Sequence, residues 1–181
     1  MGGDFVQEYY TVAFLDIAAD DRRWIQRFRE QHDPFYGTVD PHFTLAFGIR
    51  DLPENLYLNH IAGVARASRQ IPFTCRYAML GADDVDDTAY VFLVPDEGNA
   101  AISRLHDRIY VGPFQPFLKL DLPYIPHISI ASMKDCGRAK ELCDELNEQE
   151  ICIQGRLTAL TPGVLKDGRF HPFRSYVLAP A

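Results

Sequence analysis

Two short segments of this chain carry side chains suited to proton transfer at a phosphorus centre. The first is Pro41-His42-Phe43-Thr44-Leu45. The second, 85 residues on, is Pro126-His127-Ile128-Ser129-Ile130. Along a strand, successive side chains point to opposite faces. His42 and Thr44 therefore share one face, and His127 and Ser129 share another. Phe43, Leu45, Ile128 and Ile130 turn the other way, into apolar surroundings. Each unit offers an imidazole and a hydroxyl about 7 Å apart on a stiff platform. Each proline stands where a strand begins, a position at which its missing N–H costs little. Only 12 of the 181 residues are Ser or Thr. Composition alone would put two His-x-(Ser/Thr)-apolar units among six histidines about 1% of the time. One copy would read as a half-buried strand histidine; two copies read as a paired site.

Two facing imidazoles suit phosphodiester cleavage or transfer. A neutral ring takes a proton from an attacking water or ribose hydroxyl, and a protonated ring gives one to the departing oxygen. The hydroxyls, with nearby backbone N–H groups, hold the phosphoryl oxygens. Near neutral pH such a pair is expected to be half charged without a metal. Each histidine would contribute about 10² to 10⁴-fold.

The two units resemble the paired H-x-[T/S]-apolar signature of the two-histidine (2H) phosphoesterase superfamily, also known as the 2′-5′ RNA ligase or cyclic phosphodiesterase family. The resemblance covers most of the chain. It implies one two-lobed domain over residues 1–181, with pseudo-twofold antiparallel sheets, helices packed outside and a central cleft. It implies His42 and His127 as catalytic residues and Thr44 and Ser129 as phosphate-binding residues, with no metal and no cofactor. The implied substrate is a 2′,3′-cyclic phosphate or a 2′-5′ phosphodiester bond, at an RNA end or in a nucleotide. Ser129 in place of Thr falls within the pattern, and nothing in it says which histidine is acid and which is base. A non-catalytic module binding nucleotides or RNA ends in the same groove is the alternative. A metallohydrolase has no H-x-H or H-E-x-x-H pair behind it.

Around the motifs, Tyr124 is a candidate for stacking on a base. Lys119, Lys166, Arg169 and Arg174 are candidates for positive charge near the phosphate, although surface cations are usually just solvated. Phe14 reads as core packing in preference to a cleft wall. His32 reads as a helix-end cation, and His60, His106 and His171 as surface or boundary residues. Asp83, Asp84, Asp86 and Asp87 lack calcium-loop spacing and read as a solvated turn.

Strands and helices must hold these groups. Tyr9 to Ile17 is rich in β-formers and predicts the first strand. Asp20 is placed to cap a helix running to His32, with Trp24, Ile25 and Phe28 on one face. Phe43 to Ile49 predicts a strand. Pro53 opens a helix with Leu58, Ile61, Ala62 and Ala65 inward. Strands follow over 72–80 and 89–94, then a helix over 97–109 with Ile102, Leu105 and Ile109 inward. Four prolines make 112–126 an irregular connection. A strand over 128–131, a helix over 134–149 and a strand over 151–160 come next. Asp167-Gly168 predicts a type I′ hairpin turn, leading into 176–178. Strands in adjacent pairs between helices indicate an α+β fold with antiparallel sheets.

The length, 20.6 kDa and 47% apolar composition suit one globular unit. The net charge of −7, from 18 basic and 25 acidic residues, disfavours sequence-independent wrapping of nucleic acid. It leaves room for a local pocket holding one phosphate or one strand end. No apolar run is long enough to span a membrane, no secretory signal is visible, and no obligate protein partner is evident. Cys75, Cys136, Cys143 and Cys152 have neither zinc nor redox spacing and read as reduced thiols, placing the chain in the cytoplasm.

Overall fold

The structure is a computed structural model that describes residues 7–82, 87–121 and 123–180. The order is β1 (Tyr9–Ile17), α1 (Ala19–His32), β2 (His42–Ile49), α2 (Glu54–Arg66), β3 (Ile71–Ala82), β4 (Ala89–Glu97), α3 (Asn99–Ile109), β5 (Ile128–Met133), α4 (Cys136–Asn147), β6 (Ile153–Leu157), β7 (Ala159–Lys166), β8 (Arg169–Pro172) and β9 (Tyr176–Val177). All the ladders between these strands are antiparallel. This is the α+β architecture the sequence indicates.

β1 is a branch point of the sheet. One of its edges pairs with β2; the other pairs first with β7 and then, beyond Val12, with β6. The path β2-β1-β6-β3-β4-β5 therefore has the two motif strands at its opposite ends. The sheet curls until β2 and β5 approach each other, yet they do not pair. The barrel stays open, and the gap between these strands is the cleft.

The alternation expected of the motifs is present. Phe43, Leu45, Ile128 and Ile130 are fully buried, while His42, Thr44, His127 and Ser129 are part-exposed. Phe43 meets Phe73 edge-on at 5.1 Å. Tyr57 and Ile61 from α2, Ile102, Leu105 and Ile109 from α3, and Ala139, Leu142 and Leu146 from α4 complete the core. Fully burying one such aliphatic or aromatic side chain contributes about 1.5–3 kcal/mol. α1 packs on β5, and α4 on β3.

Several local readings change. Ala18, not Asp20, precedes α1. Asp20 instead lies in the first turn, where its charge complements the helix dipole and pairs with Arg23. The strand expected over 151–160 divides at Thr158, because the chain there changes its second partner from β3 to β9. The connection 112–126 contains a 3₁₀ turn, Gly112–Phe117, that buries Phe114 against Tyr57 and His60. The β7–β8 turn has Asp167 and Gly168 at φ 52° and 71°, the two positive values that a type I′ turn requires. Asp83, Asp84 and Asp86 lie outside the described residues. The four cysteines are unbridged. Among the described residues no helix is long and apolar enough to cross a membrane.

Candidate active site

Both motif histidines are seated in the same way. His42 opens β2 and donates its Nδ1–H to the Asp40 carbonyl at 2.7 Å. His127 stands just before β5 and donates its Nδ1–H to the Ile125 carbonyl at 2.6 Å. In each case the acceptor lies two residues upstream, across a buried proline. This bond fixes the tautomer, leaving Nε2 as the lone-pair nitrogen of a neutral ring. Each ring also leans on an aromatic side chain of the neighbouring strand. Phe14 on β1 meets His42 edge-on at 6.4 Å. Phe92 on β4 stacks on His127 at 3.8 Å. Gly81 makes room for that stack, since a Cβ there would overlap the Phe92 ring. Phe14 thus packs between His42 and Phe170, outside the buried core. The strand pattern could not reveal this, because Phe14 lies opposite His42 only through the β1–β2 register.

The hydroxyls are placed less equally. The Thr44 hydroxyl donates to His42 Nε2 at 3.0 Å. Among the described residues, no group bonds His127 Nε2. Ser129 comes into the first motif's surroundings. A cavity of about 140 Å³ is lined by His42, Pro41 and Ser129, together with Tyr90, Arg29 and Asp33.

Arg29 was not anticipated. It is 3% exposed and pairs with Asp33 at 2.9 Å. Its guanidinium also donates to the carbonyls of Val39 at 3.0 Å and Phe35 at 3.4 Å. It thereby holds the loop that runs into Pro41-His42. A signal was present, since Arg29 follows Ile25 by four residues and so falls on the buried stripe of α1. A charge on that stripe needs partners.

Burial is the main force on both imidazoles. It pushes His42 down to about 4, with the charges of Arg29 and His127 adding to the effect and the Asp40 carbonyl bond opposing it. Burial also lowers His127, against the pull of its bond to Ile125. The site by itself therefore holds two neutral rings, not the half-charged pair expected. The sequence shows that the rings exist but not how much water they lose.

Tyr124 is placed differently from the expected base platform. One face of its ring lies flat on His106 at 3.8 Å, and its hydroxyl donates to the Thr44 carbonyl at 3.0 Å. It ties the segment before His127 to the first motif, and burial raises its phenol. His106 is correspondingly buried, at 6% exposure, and is not a boundary residue. Lys119, Lys166 and Arg169 are not buried, and Arg174 lies over the Tyr176 ring at 5.3 Å. None of the four lines the cavity beside His42.

Comparison with curated proteins gives no significant match. Several solved structures are similar in fold. Escherichia coli LigT complexed with 3′-AMP is 16% identical, with a TM-score of 0.59 over 96% of this chain and 98% of that one. TT0787 of Thermus thermophilus is 17% identical, with a TM-score of 0.58 over 96% and 98%. Kluyveromyces marxianus Usb1 is 8% identical, with a TM-score of 0.59 over 95% and 98%. Residues 17–167, which include both histidine motifs, match the model of one family, and the chain belongs to it: the 2′-5′ RNA ligase superfamily of 2H phosphoesterases.

Proposed function

We propose that this chain is a phosphodiesterase that uses His42 and His127 to cleave 2′,3′-cyclic phosphate or 2′-5′ phosphodiester bonds of RNA ends or nucleotides. The observation that carries this reading is the equal seating of the two imidazoles, each locked as the Nδ1–H tautomer by the carbonyl two residues upstream. The binding of 3′-AMP and of phosphate by LigT supports a nucleotide phosphate as ligand. In the reaction, a water oxygen attacks phosphorus and the bond from phosphorus to one ribose oxygen breaks. One neutral imidazole takes the water proton through Nε2. The partner, protonated, delivers a proton from Nε2 to the leaving ribose oxygen. The anionic substrate is what makes that partner protonated, since a negative charge nearby favours the imidazolium. Thr44 and Ser129 hydroxyls then bond the phosphoryl oxygens.

The test is hydrolysis of 2′,3′-cyclic AMP followed by phosphorus NMR, with and without excess EDTA. Turnover should survive EDTA, and His42→Ala and His127→Ala should each lose about 10²-fold or more. The rate should show a bell-shaped pH profile. Full activity in either variant refutes the paired mechanism. Binding of the nucleotide without turnover would leave a module that only holds phosphate ends.

A further inference from the structure

A second recess lies away from the histidines and shares no lining residue with their cavity. It is a groove of about 600 Å³ between the end of α2, the start of β3 and α3. Three arginines reach it. Arg69 comes from the link between α2 and β3, while Arg104 and Arg108 stand one turn apart on α3. Its accessible apolar lining includes exposed Pro72 and half-buried Ala101, over buried Phe73 and Leu105.

The arginines are partly pre-set. Arg108 donates to the Ser68 hydroxyl at 3.1 Å, and that hydroxyl, on a residue only 3% exposed, donates to the Val64 carbonyl at 2.7 Å. Arg69 donates to the Pro180 carbonyl at 3.3 Å. The backbone beneath is tied to the C-terminal segment, with Gln70 N–H on the Ala179 carbonyl and Ala179 N–H on the Ser68 carbonyl. The carboxylate among the lining residues, Glu97, is already engaged by Arg76 at 2.6 Å and by the Thr74 hydroxyl at 3.2 Å. Among the described residues Arg104 has no ion-pair partner. A chain of net charge −7 has thus gathered three guanidiniums around one groove, and no lining carboxylate is left to pair with them. Like charges so placed repel one another and raise the local potential toward anions.

We propose that this groove binds phosphate groups of an RNA strand or nucleotide, separately from the histidine cleft. Guanidinium groups match phosphate oxygens bidentately. The groove volume suits a nucleotide-sized ligand, and the apolar lining offers a surface for a base or sugar. The proposal does not depend on cleavage, because a chain that only holds RNA ends would use the groove in the same way.

Fluorescence anisotropy with a labelled single-stranded RNA of about 12 nucleotides tests it, across a series of salt concentrations. Arg104→Gln/Arg108→Gln should weaken binding at least tenfold. It should also flatten the log–log salt dependence by about 1.4, two phosphate contacts at roughly 0.7 each for single strands. Turnover of 2′,3′-cyclic AMP should stay as in the unaltered chain, and His42→Asn/His127→Asn should leave the salt slope in place. Unlabelled ATP that competes fully marks a nucleotide site; competition by the oligonucleotide alone marks a strand path. Unchanged affinity and slope in the arginine variant, or a loss confined to the histidine variant, overturns the proposal. Arg69→Gln repeats the test if the double variant folds poorly.

Discussion

Acid should destabilise the folded chain through His42, and replacing that ring should remove a measurable share of the loss. His42 is held at about 4 in the folded chain, first by burial and then by the charges of Arg29 and His127. In the unfolded chain its value returns to about 6.5. Between those values the unfolded chain binds a proton that the folded chain refuses. Stability is therefore fully present above about 6.5, falls as the pH drops below it, and levels off below about 4. At pH 5 the interval below 6.5 is about 1.5 pH units, and at 1.36 kcal/mol per unit the loss is about 2 kcal/mol. His127 is lowered as well, so its contribution has the same sign. Urea unfolding at about pH 7.5 and about pH 5 measures this in the unaltered chain and in His42→Asn. Carboxylates titrate alike in both proteins, so the difference isolates the ring. His42→Asn should lose about 2 kcal/mol less on acidification. Equal losses would refute the buried neutral imidazole, and with it the idea that substrate brings the proton. The same linkage runs in reverse for a ligand: inorganic phosphate should raise the melting temperature more at about pH 5.5 than at about pH 8.

Three further substitutions probe the supports of the site. Arg29→Met strands the buried Asp33 carboxylate and frees the Phe35–Val39 loop; a loss of about 3–5 kcal/mol is expected, partly recovered in Arg29→Met/Asp33→Asn, and a thermal melt as stable as that of the unaltered chain would contradict it. Tyr124→Phe removes one hydrogen bond to the Thr44 carbonyl but keeps the ring on His106, so denaturant unfolding should show a cost of about 1 kcal/mol; a cost near zero would mean the bond does not hold the two motif segments together. The Ser132 hydroxyl is buried without a partner among the described residues. Ser132→Ala should therefore be neutral or more stable by up to about 1 kcal/mol, and a clear loss of stability would show that the hydroxyl is bonded.

The chemistry of the site was legible where it depends on sequence-local geometry. Period-two alternation is a property of the strand itself, so His42 with Thr44 and buried Phe43 with Leu45 followed from the spacing alone. The Asp167-Gly168 turn followed in the same way from which residues tolerate positive φ. What was hidden depends on register between strands far apart in sequence. Phe14 lies beside His42, and Phe92 beside His127, through ladders that local patterning does not set. Tyr124 and His106 found each other across the irregular connection, whose path the four prolines loosen from any periodic rule. Thr158 breaks a run that is β-like throughout; the cause is a change of neighbour.

The doubled motif makes the two histidines alike, and the residues that occur once make them different. An acid–base pair needs that difference, because two rings in identical surroundings would share one proton equally between them. Here the Thr44 hydroxyl occupies Nε2 of His42, while no described group bonds Nε2 of His127. The buried Arg29 places its charge on the His42 side, where it opposes protonation of that ring. The β2 and β5 edges do not pair with each other, and His42 and Ser129, one from each motif, line the same cavity. The strand repeat thus fixes which groups stay off the buried face. Burial first, and then the Arg29 charge from the helix before the first motif, opposes protonation of His42. α1 brings a buried guanidinium, whereas α3 brings His106, stacked on Tyr124 and itself lowered by burial.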